Sequence, residues 1–169
     1  EVRNVGSGHA ADPLHALHVQ RGEQVGRPVA HVVPGAPLRL TRHNLALEEE
    51  VDIRPAQTIW VEGADGRQIQ VFVVKPHGFD PSKRYPLILN VHGGPQGMWA
   101  DSFRGDWQVY PGKGYIVAFP NPTGSAGFGQ DIVDAISCDY TGRVVDEIGL
   151  VTDALADLPY VDEKRMGAM

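Results

Sequence analysis

The residues best placed to do chemistry form one short run, Val91-His92-Gly93-Gly94-Pro95. It comes directly after the apolar segment Leu87-Ile88-Leu89-Asn90-Val91. Two consecutive glycines let backbone N–H groups approach a bound group closely. N–H groups fixed at such a point can hold the oxyanion that develops during acyl transfer. The same pattern also suits a strand-to-helix turn that needs small residues, and the loop alone does not separate the two. Taken alone, His92 reads as a packed or hydrogen-bonded histidine rather than a general base.

Three other motifs invite a chemical reading. Gly124-Ser125-Ala126-Gly127-Phe128-Gly129 lies between an apolar run and a helical one, so it could cradle a phosphate. It matches neither the dinucleotide fingerprint nor the P-loop, and no lysine follows its glycines. A surface loop is therefore the favoured reading. Cys138-Asp139 could offer a thiol nucleophile, but no histidine occurs in the last 77 residues. A lone cysteine at a helix end is expected simply to pack. Glu48-Glu49-Glu50 reads as a solvated face, with a clamp for a substrate amine as the sharper alternative.

What is missing also informs. No Gly-x-Ser-x-Gly occurs: Ser125 has Thr123 two residues before it, and Ser7 has Val5. All seven histidines (His9, His15, His18, His31, His43, His77 and His92) lie at or before the glycine loop. In α/β-hydrolases the triad runs Ser, then Asp, then His, so a triad histidine would have to follow the serine.

Composition narrows the field. The chain has 169 residues, 42% apolar and 21% charged, which fits a globular core and argues against disorder. Fifteen Lys and Arg against 21 Asp and Glu leave a net charge of −6, which argues against nucleic acid as a partner. One cysteine excludes an intrachain disulfide and a cysteine-based metal cluster. No apolar run approaches the roughly 18 residues of a membrane helix. No spacing implies a metal or an organic cofactor. The opening Glu1-Val2-Arg3-Asn4 has no h-region and no initiating Met, so the true start is expected upstream. Neither compartment nor oligomeric state is legible.

The elements that must position the glycine loop can be read in order. Residues 1–43 hold five of the seven histidines and frequent Gly and Pro breaks. Short strands are expected at Leu14 to Val19, Pro28 to Val33 and Leu38 to Thr41, with a turn at Pro34-Gly35-Ala36-Pro37. Residues 44–56 read as a connector. Ile59-Trp60-Val61 and Ile69 to Val74 flank Asp65-Gly66, a hairpin signal. Leu87 to Val91 and Ile116 to Phe119 read as strands buried on both faces. Ser102 to Tyr110 reads as a helix, and a short helix after Gly129 should turn Ile132, Val133 and Ile136 inward. Val144, Ile148, Val151, Leu155 and Leu158 step by four, three, four and three, an amphipathic stripe. Val161 to Lys164 reads as a turn before a last apolar run from Met166. This order predicts an α/β sheet with right-handed crossovers. An end on the opening residues of a central strand suggests a piece of a longer protein.

Residues from about Gln57 to Met169 resemble the first half of the catalytic domain of the prolyl oligopeptidase family of serine peptidases. The likeness is strongest to its acylaminoacyl-peptidase and bacterial dipeptidyl-peptidase branch. It is carried by Val71-Phe72-Val73-Val74-Lys75-Pro76, by Tyr85-Pro86-Leu87-Ile88-Leu89-Asn90-Val91-His92-Gly93-Gly94-Pro95, and by Gly114-Tyr115-Ile116-Val117 leading to Asn121-Pro122-Thr123-Gly124-Ser125-Ala126-Gly127-Phe128-Gly129. Pro159-Tyr160-Val161-Asp162 and Lys164-Arg165-Met166-Gly167-Ala168-Met169 continue it in order. Val32 to Arg42 resembles the end of a propeller blade. The chain departs from the family in two places. Thr123 stands where arginine is common, and Asp139-Tyr140-Thr141-Gly142 replaces Asp-Trp-Gly-Gly.

The resemblance implies the N-terminal half of an α/β-hydrolase sheet over 57–169, behind a propeller-like remnant at 1–43. It implies peptide-bond hydrolysis of short peptide substrates, with the nucleophile elbow only roughly three residues past Met169 and the acid and base later still. Gly94 is then the backbone oxyanion donor, with His92 and Gly93 shaping its loop. The triad lies outside the chain, so the 169 residues alone are expected to be inactive. An α/β-hydrolase esterase shares the glycine loop and is the first alternative. A non-catalytic interaction module is the second. Peptide specificity is not legible.

Overall fold

The computed structural model describes residues 41–63 and 65–169. The short strands expected before Thr41 lie outside the described residues. Helix α1 (Leu45–Glu50) leads into the hairpin β1 (Ala56–Glu62) and β2 (Gln68–Val74). The order continues with β3 (Tyr85–Leu89), α2 (Asp106–Gly112), β4 (Ile116–Asn121), α3 (Gln130–Asp134), α4 (Arg143–Ala156) and β5 (Val161–Ala168). The five strands form one mixed sheet in the order β1-β2-β4-β3-β5. β1 and β2 pair antiparallel from Ala56↔Val74 to Glu62↔Gln68, and β2 pairs antiparallel with β4. β3 lies parallel between β4 and β5.

Period-2 alternation splits the sheet residues between two cores. Val71, Val73, Leu87, Leu89, Ile116 and Ala118 face one way and pack under Val151 and Leu155 of α4. Phe72, Val74, Val117 and Phe119 face the other way, against Trp99 and Trp107. On that second face the Trp107 ring stacks on Phe119 with centroids 4.4 Å apart. β4 is buried at all six positions, its five apolar residues and Asn121 alike, as a strand covered on both faces requires.

The hairpin, the strands and the α4 stripe fall where the sequence places them. Four boundaries differ. Residues 44–56 include the six-residue helix α1, none of whose side chains is buried. α2 starts at Asp106, four residues after Ser102. α3 stops at Asp134, so buried Ile136 lies just past the helix and Ile132 and Val133 are only half-buried. Val161 to Lys164 belongs to β5 rather than to a turn. Its pairing explains the turn-like composition. Between Tyr85↔Val161 and Leu87↔Met166, two steps along β3 correspond to five along β5, so extra residues loop out of the ladder.

The entry to β5 is fixed at the end of the sheet away from the glycine loop. The Tyr85 N–H donates to the Tyr160 carbonyl at 2.9 Å. The Lys75 ammonium lies 4.6 Å from the ring centroids of both Phe79 and Tyr160. Burial, helped by the nearby Arg54 charge, holds the Lys75 amine below the ordinary lysine range, and burial raises the Tyr160 phenol.

Candidate active site

Three parallel strands end side by side. The Asn90 N–H donates to Ala118 O of β4 at 2.8 Å. On the other flank Val91 N–H donates to Met169 O at 3.0 Å, and Met169 N–H donates to Leu89 O at 2.9 Å. The chain therefore leaves β3 into the His92 loop between its two parallel neighbours. Crevices outside the carboxyl ends of such strands are where open α/β sheets bind ligands.

Gly93 and Gly94 are exposed at that end of the sheet. Gly94 has φ +114°, a conformation that glycine adopts without steric cost. Among the described residues, the Gly94 N–H donates to no protein group. It is thus open to an incoming acceptor, as an oxyanion donor must be.

His92 is held at both ring nitrogens. Nδ1 lies 3.2 Å from the Gly93 carbonyl, and Nε2 lies 2.9 Å from the Ser125 hydroxyl. Its ring meets Trp99 edge-on, with centroids 5.9 Å apart. This is the hydrogen-bonded histidine that the sequence favours. The Ser125–His92 pair has the composition of a nucleophile and its base, but Ser125 is 0% exposed and out of reach of a substrate.

The loop after β4 corrects the sequence reading. Its first half is not a surface loop, for Asn121 to Ser125 are all buried, whereas Gly127 and Gly129 are exposed. Nor does that buried half cradle phosphate, because its amides are already used. The Gly124 N–H donates to Ile132 O at 2.9 Å, Ser125 N–H to Pro122 O at 3.0 Å and Ala126 N–H to Gly97 O at 3.1 Å. The Asn121 side chain accepts from the Trp99 N–H at 2.7 Å and donates to the Trp99 carbonyl at 2.9 Å. These bonds stitch the loop to residues 92–99. The stitching was invisible in the sequence because its partners are far apart along the chain.

A second residue the sequence hid is Glu147, only 2% exposed. Its carboxylate accepts from the Thr123 N–H and from the Thr123 hydroxyl, both at 2.6 Å. Arg67 Nη1 adds a longer bond to the Thr123 hydroxyl at 3.4 Å. The signal was available, since Glu147 lies three residues after Val144 and four before Val151, on the apolar stripe of α4. Cys138, by contrast, does not pack into the core. It is exposed, with φ +61°.

Gly124 is the tightest point of the buried loop. Its φ is +95°, and a Cβ there would sit 2.9 Å from Ile136 Cδ1. Gly124→Ala is expected to cost about 1–3 kcal/mol through backbone strain and overpacking. Urea unfolding of the two chains measures this, and an unshifted midpoint would refute the assignment.

The sequence profile of the Prolyl oligopeptidase family matches residues 101–169, which begin just past the glycine loop and contain the Ser125 loop. Residues 101–169 thus carry the pattern of this family. Dipeptidyl-peptidase 5 of Schizosaccharomyces pombe is 38% identical over 131 residues, 75% of this chain and 19% of that protein. Dipeptidyl peptidase 4 of Porphyromonas gingivalis superposes with a TM-score of 0.67 at 26% identity, over 78% of this chain and 20% of that one. An acylaminoacyl peptidase in complex with Z-Gly-Gly-Phe-chloromethyl ketone gives 0.72 at 24% identity, over 79% of this chain and 22% of that one, a likeness of fold. The chain thus spans about a fifth of the length of the family members it matches.

Proposed function

We propose that this chain forms the oxyanion-loop side of a serine peptidase that hydrolyses short peptides by acyl transfer. The observation that carries this reading is the open Gly94 N–H at the ends of parallel strands, in a chain whose residues 101–169 match this family. In the proposed enzyme a serine following β5 attacks the scissile carbonyl, a histidine moves its proton, and Gly94 N–H takes up charge on the carbonyl oxygen. The register supports this placement, because Met169 pairs with Leu89 and Val91, immediately before the loop. Residues 1–43 are then the end of a propeller-like domain, 44–56 a linker to it, and 57–169 the first part of the catalytic domain.

The triad is outside these residues under this reading. Without it, and with one of two oxyanion donors, the chain retains too little machinery for the 10³–10⁴-fold residual rate an intact hole can give. The experiment compares the longer protein encoded by the parent gene with the 169-residue chain. Dipeptidyl and acylaminoacyl p-nitroanilides and p-nitrophenyl esters serve as substrates. The longer protein should cleave the anilides, and the chain alone should cleave nothing. Cleavage of esters only would make the protein an esterase. Turnover by the purified 169-residue chain above contaminant controls would overturn the assignment of the triad.

A further inference from the structure

The buried loop after β4 has a hydroxyl that the proposed reaction leaves unused. We infer that Ser125 fixes the tautomer of His92, so that His92 Nδ1–H holds the Gly93 carbonyl and thereby orients the Gly94 N–H for the oxyanion. Its catalytic meaning rests on the peptidase reading above.

Hydrogen-bond direction assigns the two ring nitrogens of His92. The Gly93 carbonyl 3.2 Å from Nδ1 can only accept, so Nδ1 carries the proton. In a neutral ring Nε2 must then accept, and the Ser125 hydroxyl at 2.9 Å can donate to it. Ser125 is 0% exposed, so no water competes for that bond. Its position is set in turn by Ser125 N–H on Pro122 O at 3.0 Å and by Ala126 N–H on Gly97 O at 3.1 Å.

The consequence lies in one peptide unit. The Gly93 C=O and the Gly94 N–H belong to the same peptide group, which is trans like every peptide bond described. In a trans peptide the two groups point in opposite directions. A ring that holds the carbonyl on one side therefore turns the N–H to the other. Gly93 and Gly94 are exposed and have no side chains, so little else fixes this plane. Gly97 makes room for the contact. A Cβ there would sit 2.7 Å from Gly93 O and 3.0 Å from His92 Nδ1, too close for both to stay. Ser125, His92 and Gly97 are accordingly positioning residues, and they act through the Gly94 N–H.

The test has two arms. Long-range ¹⁵N–¹H spectra of the 169-residue chain should show His92 protonated at Nδ1 near neutral pH, and Ser125→Ala should abolish that fixed tautomer. A neutral His92 protonated at Nε2 in the unsubstituted chain overturns the inference. In the longer enzyme Ser125→Ala should lower kcat about tenfold with KM within twofold, the pattern of a contribution made only in the transition state. Gly97→Ala, which leaves the ring chemistry intact, should do the same. His92→Asn, whose amide can replace the Nδ1 donor, should recover most of the rate lost in His92→Phe. Equal kcat in Ser125→Ala and the parent enzyme, or no recovery by asparagine, overturns the positioning role while leaving the peptidase reading standing. An inactive parent enzyme overturns the peptidase reading, and the imidazole spectrum then still decides the Ser125–His92 assignment.

Discussion

In the longer peptidase proposed above, Gly94→Ala is expected to lower kcat by about 10²–10³, the usual loss when an oxyanion donor is misplaced or removed. The cause is backbone geometry rather than bulk. A Cβ at position 94 would meet nothing closer than Gly97 N at 3.4 Å, an ordinary contact. The φ of +114° is the obstacle, because an L residue adopts it only under strain. The chain can relieve that strain by rotating the Gly93–Gly94 peptide, and rotation removes the N–H from the oxyanion. KM should change little, since the ground-state carbonyl leans on the donor far less than the tetrahedral intermediate does. Gly93→Ala is the stability control. Its Cβ would meet nothing within 4 Å, and its φ is not left-handed. The thermal midpoint of the 169-residue chain should therefore stay within about 2 °C in Gly93→Ala, a shift typical of benign surface changes. A Gly94→Ala enzyme with the parent kcat would remove Gly94 from the mechanism.

How far the sequence reaches can be judged from particular residues. The apolar runs of β3 and β4 and the stripe of α4 announce themselves because burial has a period, and a period is local. The Asp65-Gly66 hairpin is local too, with Gly66 at φ +77° in the turn. The glycine loop is legible for the same reason, as two adjacent residues after a strand. What joins it to the rest is not local. Ser125 is 33 residues from His92, and Glu147 is 24 residues from Thr123. A glycine-rich stretch such as Asn121 to Gly129 looks like surface when only composition is weighed. Its first five residues are buried because Asn121, Thr123 and Ser125 each find a polar partner inside, which composition cannot register. The Val161–Lys164 segment misleads in the opposite sense. Its charged residues read as a turn, whereas they loop out from a strand whose ends are held by β3.

The departure at Thr123, where arginine is common in the family, makes Glu147 the most informative position for stability. Thr123→Arg would have given this carboxylate a charged fork. Here it has two neutral donors at 2.6 Å instead. Hydrogen bonds to an ionised acceptor are roughly twice as strong as neutral pairs. Glu147→Ala leaves the Thr123 N–H and hydroxyl buried without that acceptor, and each orphaned group costs about 1–3 kcal/mol. Two opposing terms have to be weighed. Removing a buried carboxylate relieves its desolvation, but it also vacates the volume beneath the loop. With both bonds short and Thr123 only 3% exposed, the lost bonds and the cavity should outweigh the relief. We expect a net loss of about 2–4 kcal/mol, lowering the thermal midpoint by roughly 2–4 °C per kcal/mol for a chain of this size. Glu147→Gln separates charge from shape. Its amide oxygen can keep the bond from the Thr123 N–H while its NH₂ faces the hydroxyl, so about half the loss should return. A midpoint that rises in both variants would mean that desolvating the carboxylate costs more than its two bonds contribute. Glu147 would then be retained for something other than the stability of the loop that carries Ser125.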